Sequence, residues 1–164
     1  MAVFTDSFDG AAGVLLSSRA GWAAAGGYYD VLKIDGAGAL GHDIYEADGN
    51  AVLHDVGELS HYVKLVLGAG FLSSSNGVGV VFAASERFNA LSLVANATGV
   101  RLYLNGSALD NLGLEWAAGD ELEAIWNQPL QTVTIKRNGA AHSTHNISAY
   151  NWTDNGTLAG VVPA

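Results

Sequence analysis

Between His61 and Gly139 the chain is a succession of short segments in which apolar residues recur at every second position. Val63, Leu65 and Leu67 alternate with Tyr62, Lys64 and Val66; Val100, Leu102 and Leu104 alternate with Arg101 and Tyr103; Leu122, Ala124 and Trp126 alternate with Glu121, Glu123 and Ile125. Successive side chains of a strand point to opposite faces, so a period of two buries one face and leaves the other to solvent or to a neighbour. Val78–Phe82, Leu91–Ala95 and Gln131–Arg137 have the same strand character, and Asn105-Gly106 and Asn138-Gly139 each follow such a segment directly. Asn-Gly between alternating segments is a strong hairpin signal, because both residues tolerate positive φ. One-face burial joined by tight turns belongs to antiparallel sheets rather than to βαβ units. The pattern predicts an all-β fold, a two-sheet antiparallel β-sandwich, as one domain over residues 1–164.

The flanks are read with the same rules. Val3–Phe8 alternates as a first strand, and Asp9-Gly10 turns the chain. Residues 10–27 are rich in Gly, Ala and Ser and read as a long loop; a helix at Ala11–Leu16 has no capping pattern to support it. Tyr28–Ile34 resumes strand character, and residues 41–60 hold strand-like pieces around an Asp48-Gly49 turn. Residues 140–157 are polar and turn-rich and read as a loop with a short strand at its start. Val66, Val94 and Ile125 lie on faces that should be polar, which stacked sheets or subunit contact would explain.

Composition excludes several function classes. Of 164 residues 49% are hydrophobic, which excludes a disordered chain. A net charge of −9 and scattered Lys and Arg argue against a nucleic-acid partner, since phosphate binding needs clustered cations. Without cysteine there is neither a disulfide nor a thiolate metal site. The N-terminus has no basic region followed by an apolar run, so no secretory signal is expected. No apolar run reaches the length of about 18 residues that reads as a membrane span, so no membrane insertion is expected.

The order of elements resembles the concanavalin A-like lectin/glucanase jelly roll, in the laminin-G-like form found in bacterial and bacteriophage proteins. The resemblance rests on Asp6–Arg19 followed by Gly21-Trp22, on Gly77–Ser85 with Phe88–Leu93 and Gly99–Gly106, and above all on Gly119-Asp120-x-Leu122 paired with Val133 to Asn138-Gly139. Residues 24–60 match least. In the family a last strand pairs beside the first. Here Thr157–Ala164 reads as the approach to that strand, which is missing or very short, so a neighbouring chain is expected to cover an unpaired edge.

The resemblance implies three kinds of site. Glucanases of this fold use paired carboxylates, and a retaining glycosidase needs them about 5 Å apart. Glu121 and Glu123 share one strand face, but Trp126 stands where the third acid of the enzymes' motif falls, so no catalytic residue and no enzyme activity are expected. Lectins of this fold stack sugar rings on aromatic side chains beside polar groups. The candidates are Trp22, Trp116, Tyr150, Asn151 and Trp152, while Trp126 is expected in the core by its phase with Leu122. No cofactor is expected from the residues themselves. The resemblance adds calcium as an option, with Asp48, Asn50 and Asp154 as hard oxygen ligands and Asp110-Asn111 beside them. His142 and His145 are three apart without a nearby Glu or Cys partner and read as loop histidines. Five Asn-x-Ser/Thr sequences, starting at Asn96, Asn105, Asn146, Asn151 and Asn155, read as turn chemistry.

The functional expectation is a non-catalytic virion module of a bacteriophage, a tail, fibre or capsid-surface protein made in the host cytoplasm. Its expected partners are other virion proteins or copies of itself, and a host cell-surface glycan. The alternatives are a glycoside hydrolase and a free bacterial carbohydrate-binding protein.

Overall fold

A computed structural model describes residues 9, 11, 12, 14–25, 32–34, 40–42, 51–68, 78–86, 89–113, 116–150, 152 and 155–163. The expected first strand at Val3–Phe8 and the residues Tyr28 and Tyr29 lie outside them.

The described chain is built from strands: β1 (Ala23–Ala25), β2 (Leu32–Ile34), β3 (Leu40–His42), β4 (Ala51–Asp55), β5 (His61–Val66), β6 (Val78–Glu86), β7 (Asn89–Asn96), β8 (Gly99–Leu104), β9 (Ser107–Asn111), β10 (Glu121–Asn127), β11 (Thr132–Arg137), β12 (Ala140–Asn146) and β13 (Leu158–Pro163). Among the described residues, short 3-10 turns at Leu16–Ser18 and Ser148–Tyr150 are the helical pieces. A seven-stranded sheet in the order β1-β4-β13-β6-β7-β8-β9 packs on a four-stranded sheet in the order β12-β11-β10-β5, and β2 pairs with β3 as a hairpin. All pairings are antiparallel. The expected two-sheet sandwich is the observed one.

The core lies where the two inner faces meet. Val80, Phe82, Leu91, Leu93, Val100, Leu102 and Leu104 from one sheet face Leu122, Ala124, Trp126, Val133 and Ile135 from the other, all buried. These are the positions selected by the period of two. The opposite face of the seven-stranded sheet holds a second, smaller cluster of Leu53, Val81, Ala84 and Ala90, with Leu158 packed against it. On the outer face of the four-stranded sheet Val66 is exposed and Ile125 half-buried.

Both Asn-Gly turns adopt the positive φ that their sequence predicts: 51° and 77° at Asn105-Gly106, 52° and 78° at Asn138-Gly139. Each Asn also clasps the strand on the far side of its hairpin. Asn105 exchanges two hydrogen bonds with Ala90, donating its N–H to the carbonyl (2.9 Å) and accepting the Ala90 N–H on Oδ1 (3.0 Å). Asn138 does the same with Glu121 (2.9 and 2.8 Å). The turn residue thus extends the ladder by one rung.

Two expectations are corrected. The C-terminal segment is not an unfinished edge: β13 runs for six residues inside the seven-stranded sheet, hydrogen-bonded to β4 on one side and β6 on the other. Its N-terminal half is anchored by the backbone of Gly156, whose N–H donates to Ala83 (3.0 Å). The strand expected at the start of residues 140–157 is longer than a short one: Ala140–Asn146 is a seven-residue edge strand, paired with β11.

Candidate functional site

The paired carboxylates lie on the outer face of the four-stranded sheet. Glu123 sits directly opposite Lys64 on β5 and Lys136 on β11. Glu121 pairs with Lys64 at 2.8 Å and Glu123 with Lys136 at 3.6 Å. Glu121 holds the Lys64 ammonium above its ordinary value. The two acids therefore share a face, as their spacing requires, and each has a lysine as its nearest charge.

One end of this sheet is closed by Asp120. Its carboxylate accepts from the Ala117 N–H (2.6 Å), Asn138 Nδ2 (2.7 Å) and Arg137 Nε (2.8 Å), with Arg137 Nη2 also at 2.8 Å. The Ala117 N–H, then Asn138 and Arg137, hold the carboxyl below the usual carboxylate range against the opposing effect of burial. The Arg137 guanidinium lies 5.6 Å from the ring centroid of Trp116, and the His142 ring lies 5.5 Å away. Trp116 is 3% exposed, so this candidate for sugar stacking is part of the core. Its indole N–H finds no acceptor among the described residues.

The opposite end carries Tyr150. A chain of hydrogen bonds joins three loops there. The Gln128 N–H donates to Ser60 Oγ (3.0 Å), the Gln131 N–H to Gln128 (3.1 Å), the Ile147 N–H to Gln131 (2.8 Å) and the Tyr150 N–H to Ile147 (3.0 Å). Tyr150 is 54% exposed, and Leu59 and Leu130 on the neighbouring loops are exposed too. Across residues 58–60, 127–131 and 146–150 the one residue charged at neutral pH is Glu58; the rest is amide, hydroxyl and apolar. Trp152 explains why Tyr150 sits where it does. It is 6% exposed, its indole N–H donates to Asn89 Oδ1 (2.7 Å), and its ring lies 5.7 Å from Trp126. Trp152 is thus an anchor sunk into the core, two residues beyond a tyrosine that faces solvent. Asn151 lies outside the described residues.

Beneath this end lies His61, 5% exposed. Its Nε2 accepts the N–H of Ala83 (3.0 Å), so its proton is on Nδ1, which donates to the Glu58 carbonyl (2.9 Å). Burial pushes the imidazole below its ordinary pKa. Ala83 has φ 53° at the irregularity that interrupts β6–β7 pairing, and His61 satisfies the N–H displaced there.

The remaining candidates separate. Trp22 is half-buried with its ring 6.2 Å from His54, whose Nδ1 meets the Gly21 carbonyl at 2.6 Å. The calcium candidates Asp48, Asn50 and Asp154 lie outside the described residues, and no metal-binding group of three His, Cys, Asp or Glu occurs among the described ones. Asp110 is instead drawn to His145, 3.6 Å from Nδ1, while the Nε2 of that imidazole meets Ser143 Oγ at 2.9 Å. Reading His142 with His145 missed this, because spacing by three crosses a strand whereas Ser143-x-His145 stays on one face. No helix of the described chain is long and apolar enough to cross a membrane. No protein-family model matches the chain, and no curated protein matches it.

Proposed function

We propose that the chain is a virion module of a bacteriophage, a tail, fibre or capsid-surface protein that attaches to host glycan or decorates the particle through the end carrying Tyr150. The observation that carries the reading is the contrast between Tyr150 and the tryptophans. Trp116, Trp126 and Trp152 are spent in the core, whereas Tyr150 presents a ring to solvent from a hydrogen-bonded turn. The loops tied together there also carry Gln128 and Gln131, whose amides both donate and accept and so suit sugar hydroxyls, while Asn127 and Asn146 spend their Oδ1 atoms on the Leu130 and Ser148 N–H groups. The resemblance to laminin-G-like jelly rolls of phage proteins supplies the biological setting.

The glycoside hydrolase reading has less support. Glu121 and Glu123 are tied to lysines on the outer face, and Trp126 points into the core. Release of reducing sugar from a β-glucan, lost in Glu121→Gln, would restore it.

A glycan array with wild-type protein and Tyr150→Ala tests attachment: binding lost in the variant supports it, and an array with no hits removes it in favour of decoration. Immunogold labelling of phage particles tests the setting, and unlabelled particles would overturn the virion assignment.

A further inference from the structure

We propose that Ser143, His145 and Asp110 form a serine-nucleophile site for short-chain acyl esters, at the edge of the sandwich where β9 and β12 meet. The inference stands on its own contacts and does not depend on the glycan reading.

The connectivity is that required for activating a hydroxyl. Ser143 Oγ is 2.9 Å from His145 Nε2, and the other ring nitrogen, Nδ1, faces Asp110 Oδ2 at 3.6 Å. A hydroxyl is a weak nucleophile until a base takes its proton, and the base works best when a third group orients it. The Asp110 distance is long for a hydrogen bond, as is common before substrate draws such an array together.

The fold produces this arrangement from register. Ser143 pairs with Ile135 and His145 with Val133, both core residues, so both side chains point between the sheets. Asp110 pairs with Leu102 on β8 and points into the same space from the other sheet. β9 and β12 are the edge strands on this side, so the space opens to solvent there. Exposure grades accordingly, with the His145 side chain at 17% and Asp110 at 48%. Val133 and Ile135 are fully buried beneath the pair, and the partly buried Leu109, beside Asp110, gives the site its apolar side. The inner faces are close-packed beneath these residues, which leaves room at the strand edge for an acyl group of only a few carbons.

The edge also supplies an oxyanion donor. The Ile147 N–H bonds to Gln131, and in an antiparallel ladder such bonds alternate, so the Thr144 N–H points away from β11. Thr144 follows the nucleophile directly, and its N–H, directed off the ladder, is the donor offered to a developing oxyanion at this edge.

The reaction balances without a further reagent beyond water. Oγ bonds to the ester carbonyl carbon as its proton passes to Nε2, and Asp110 stabilises the imidazolium. The bond to the leaving alcohol breaks as Nε2 returns the proton to it, leaving acyl-Ser143. Water then attacks, gives a proton to Nε2, and the carboxylic acid departs as Oγ regains that proton.

The test uses the full chain with a fluorophosphonate probe and with p-nitrophenyl acetate. The expected result is an adduct mapped to Ser143 by mass spectrometry, and hydrolysis that falls about a hundredfold in Ser143→Ala and His145→Ala and less in Asp110→Asn. Circular dichroism confirms that each variant is folded. If wild type and folded Ser143→Ala label and hydrolyse alike, the proposal is wrong. If Asp110→Asn and His145→Ala lower the melting temperature while wild type takes no label, the three residues are a clasp between sheets and the proposal is likewise overturned.

Discussion

Asp120 Oδ1 accepts a hydrogen bond from Asn138 Nδ2 at 2.7 Å, joining residues that belong to different turns. Asn138 in turn receives the Glu121 N–H on Oδ1, so the pair fixes the start of β10 against the β11–β12 turn. The Gly119-Asp120 and Asn138-Gly139 elements of the sequence are therefore two halves of one lock. Replacing Asp120 by Ala leaves Asn138 Nδ2, the Ala117 N–H and part of Arg137 without an acceptor. The expected cost is about 2–3 kcal/mol in urea denaturation. A cost within about 0.5 kcal/mol, the range of ordinary surface changes, would show that the lock is idle.

The same carboxylate sets an acid limb. Its folded pKa is depressed, chiefly by the Ala117 N–H. The folded state therefore holds its proton less tightly than the unfolded chain does. The stabilisation is fully present above the unfolded value of 3.8 and is lost as pH falls through the lower folded value. The urea midpoint should drop below pH 3.8, and Asp120→Asn should flatten that part of the curve. An unchanged slope in the variant would assign the limb to other carboxylates.

His61 gives a second, separate pH dependence. Its folded pKa is depressed by burial, so the imidazole must stay neutral to keep its two hydrogen bonds. Its contribution is complete above the ordinary value of 6.5 and is lost as pH falls through the folded value. Long-range nitrogen–proton NMR at neutral pH should report the Nδ1–H tautomer. A stability decline beginning near 6.5 should be absent in His61→Gln, which should be less stable than wild type at neutral pH. Observation of the Nε2–H tautomer would break the assignment, because Nε2 must accept from Ala83.

Gly156 is set against backbone rather than side chain. A Cβ there falls 2.7 Å from Ser85 Cα and closer still to the Ala84 carbonyl oxygen. Neither neighbour can rotate away, and the Gly156 N–H bond to Ala83 holds the approach. Gly156→Ala should destabilise by about 1–3 kcal/mol or more, as overpacking does. A melting temperature equal to wild type would mean that the β6 irregularity can shift to admit a methyl group.

The parts of this fold that were legible are those whose apolar period was clean. In β8, β10 and β11 the residues selected by alternation are the buried ones, and both Asn-Gly turns follow their chemistry. β9 was not legible and β12 only as a short start, because an edge strand needs no apolar face: Ala140–Asn146 contains no large hydrophobic residue, and of Ser107–Asn111 only Leu109 is one. β13 was misread because its six residues carry no alternation; their place is set by pairing with strands about 80 and 100 residues upstream, a distance that local pattern cannot report. For the site, residue type alone could not tell Trp152 from Tyr150. Both lie in one polar stretch, and the indole hydrogen bond to Asn89, 63 positions away, decides which is the anchor.

That division of labour has a measurable consequence. If Trp152 anchors and Tyr150 presents, their truncations must differ in kind. Trp152→Ala removes a buried ring packed on Trp126 and should cost about 3–5 kcal/mol. Trp152→Phe keeps an aromatic ring but loses the N–H bond to Asn89 and should cost about 1 kcal/mol from that bond. It should also abolish any near-ultraviolet circular-dichroism couplet of the tryptophan pair. Tyr150→Ala, by contrast, should stay within about 0.5 kcal/mol of wild type, as expected for an exposed side chain. Its effect should fall on ligand binding alone. A Tyr150→Ala protein destabilised as strongly as Trp152→Ala would make Tyr150 a packing residue and would remove the structural basis of the proposed recognition end.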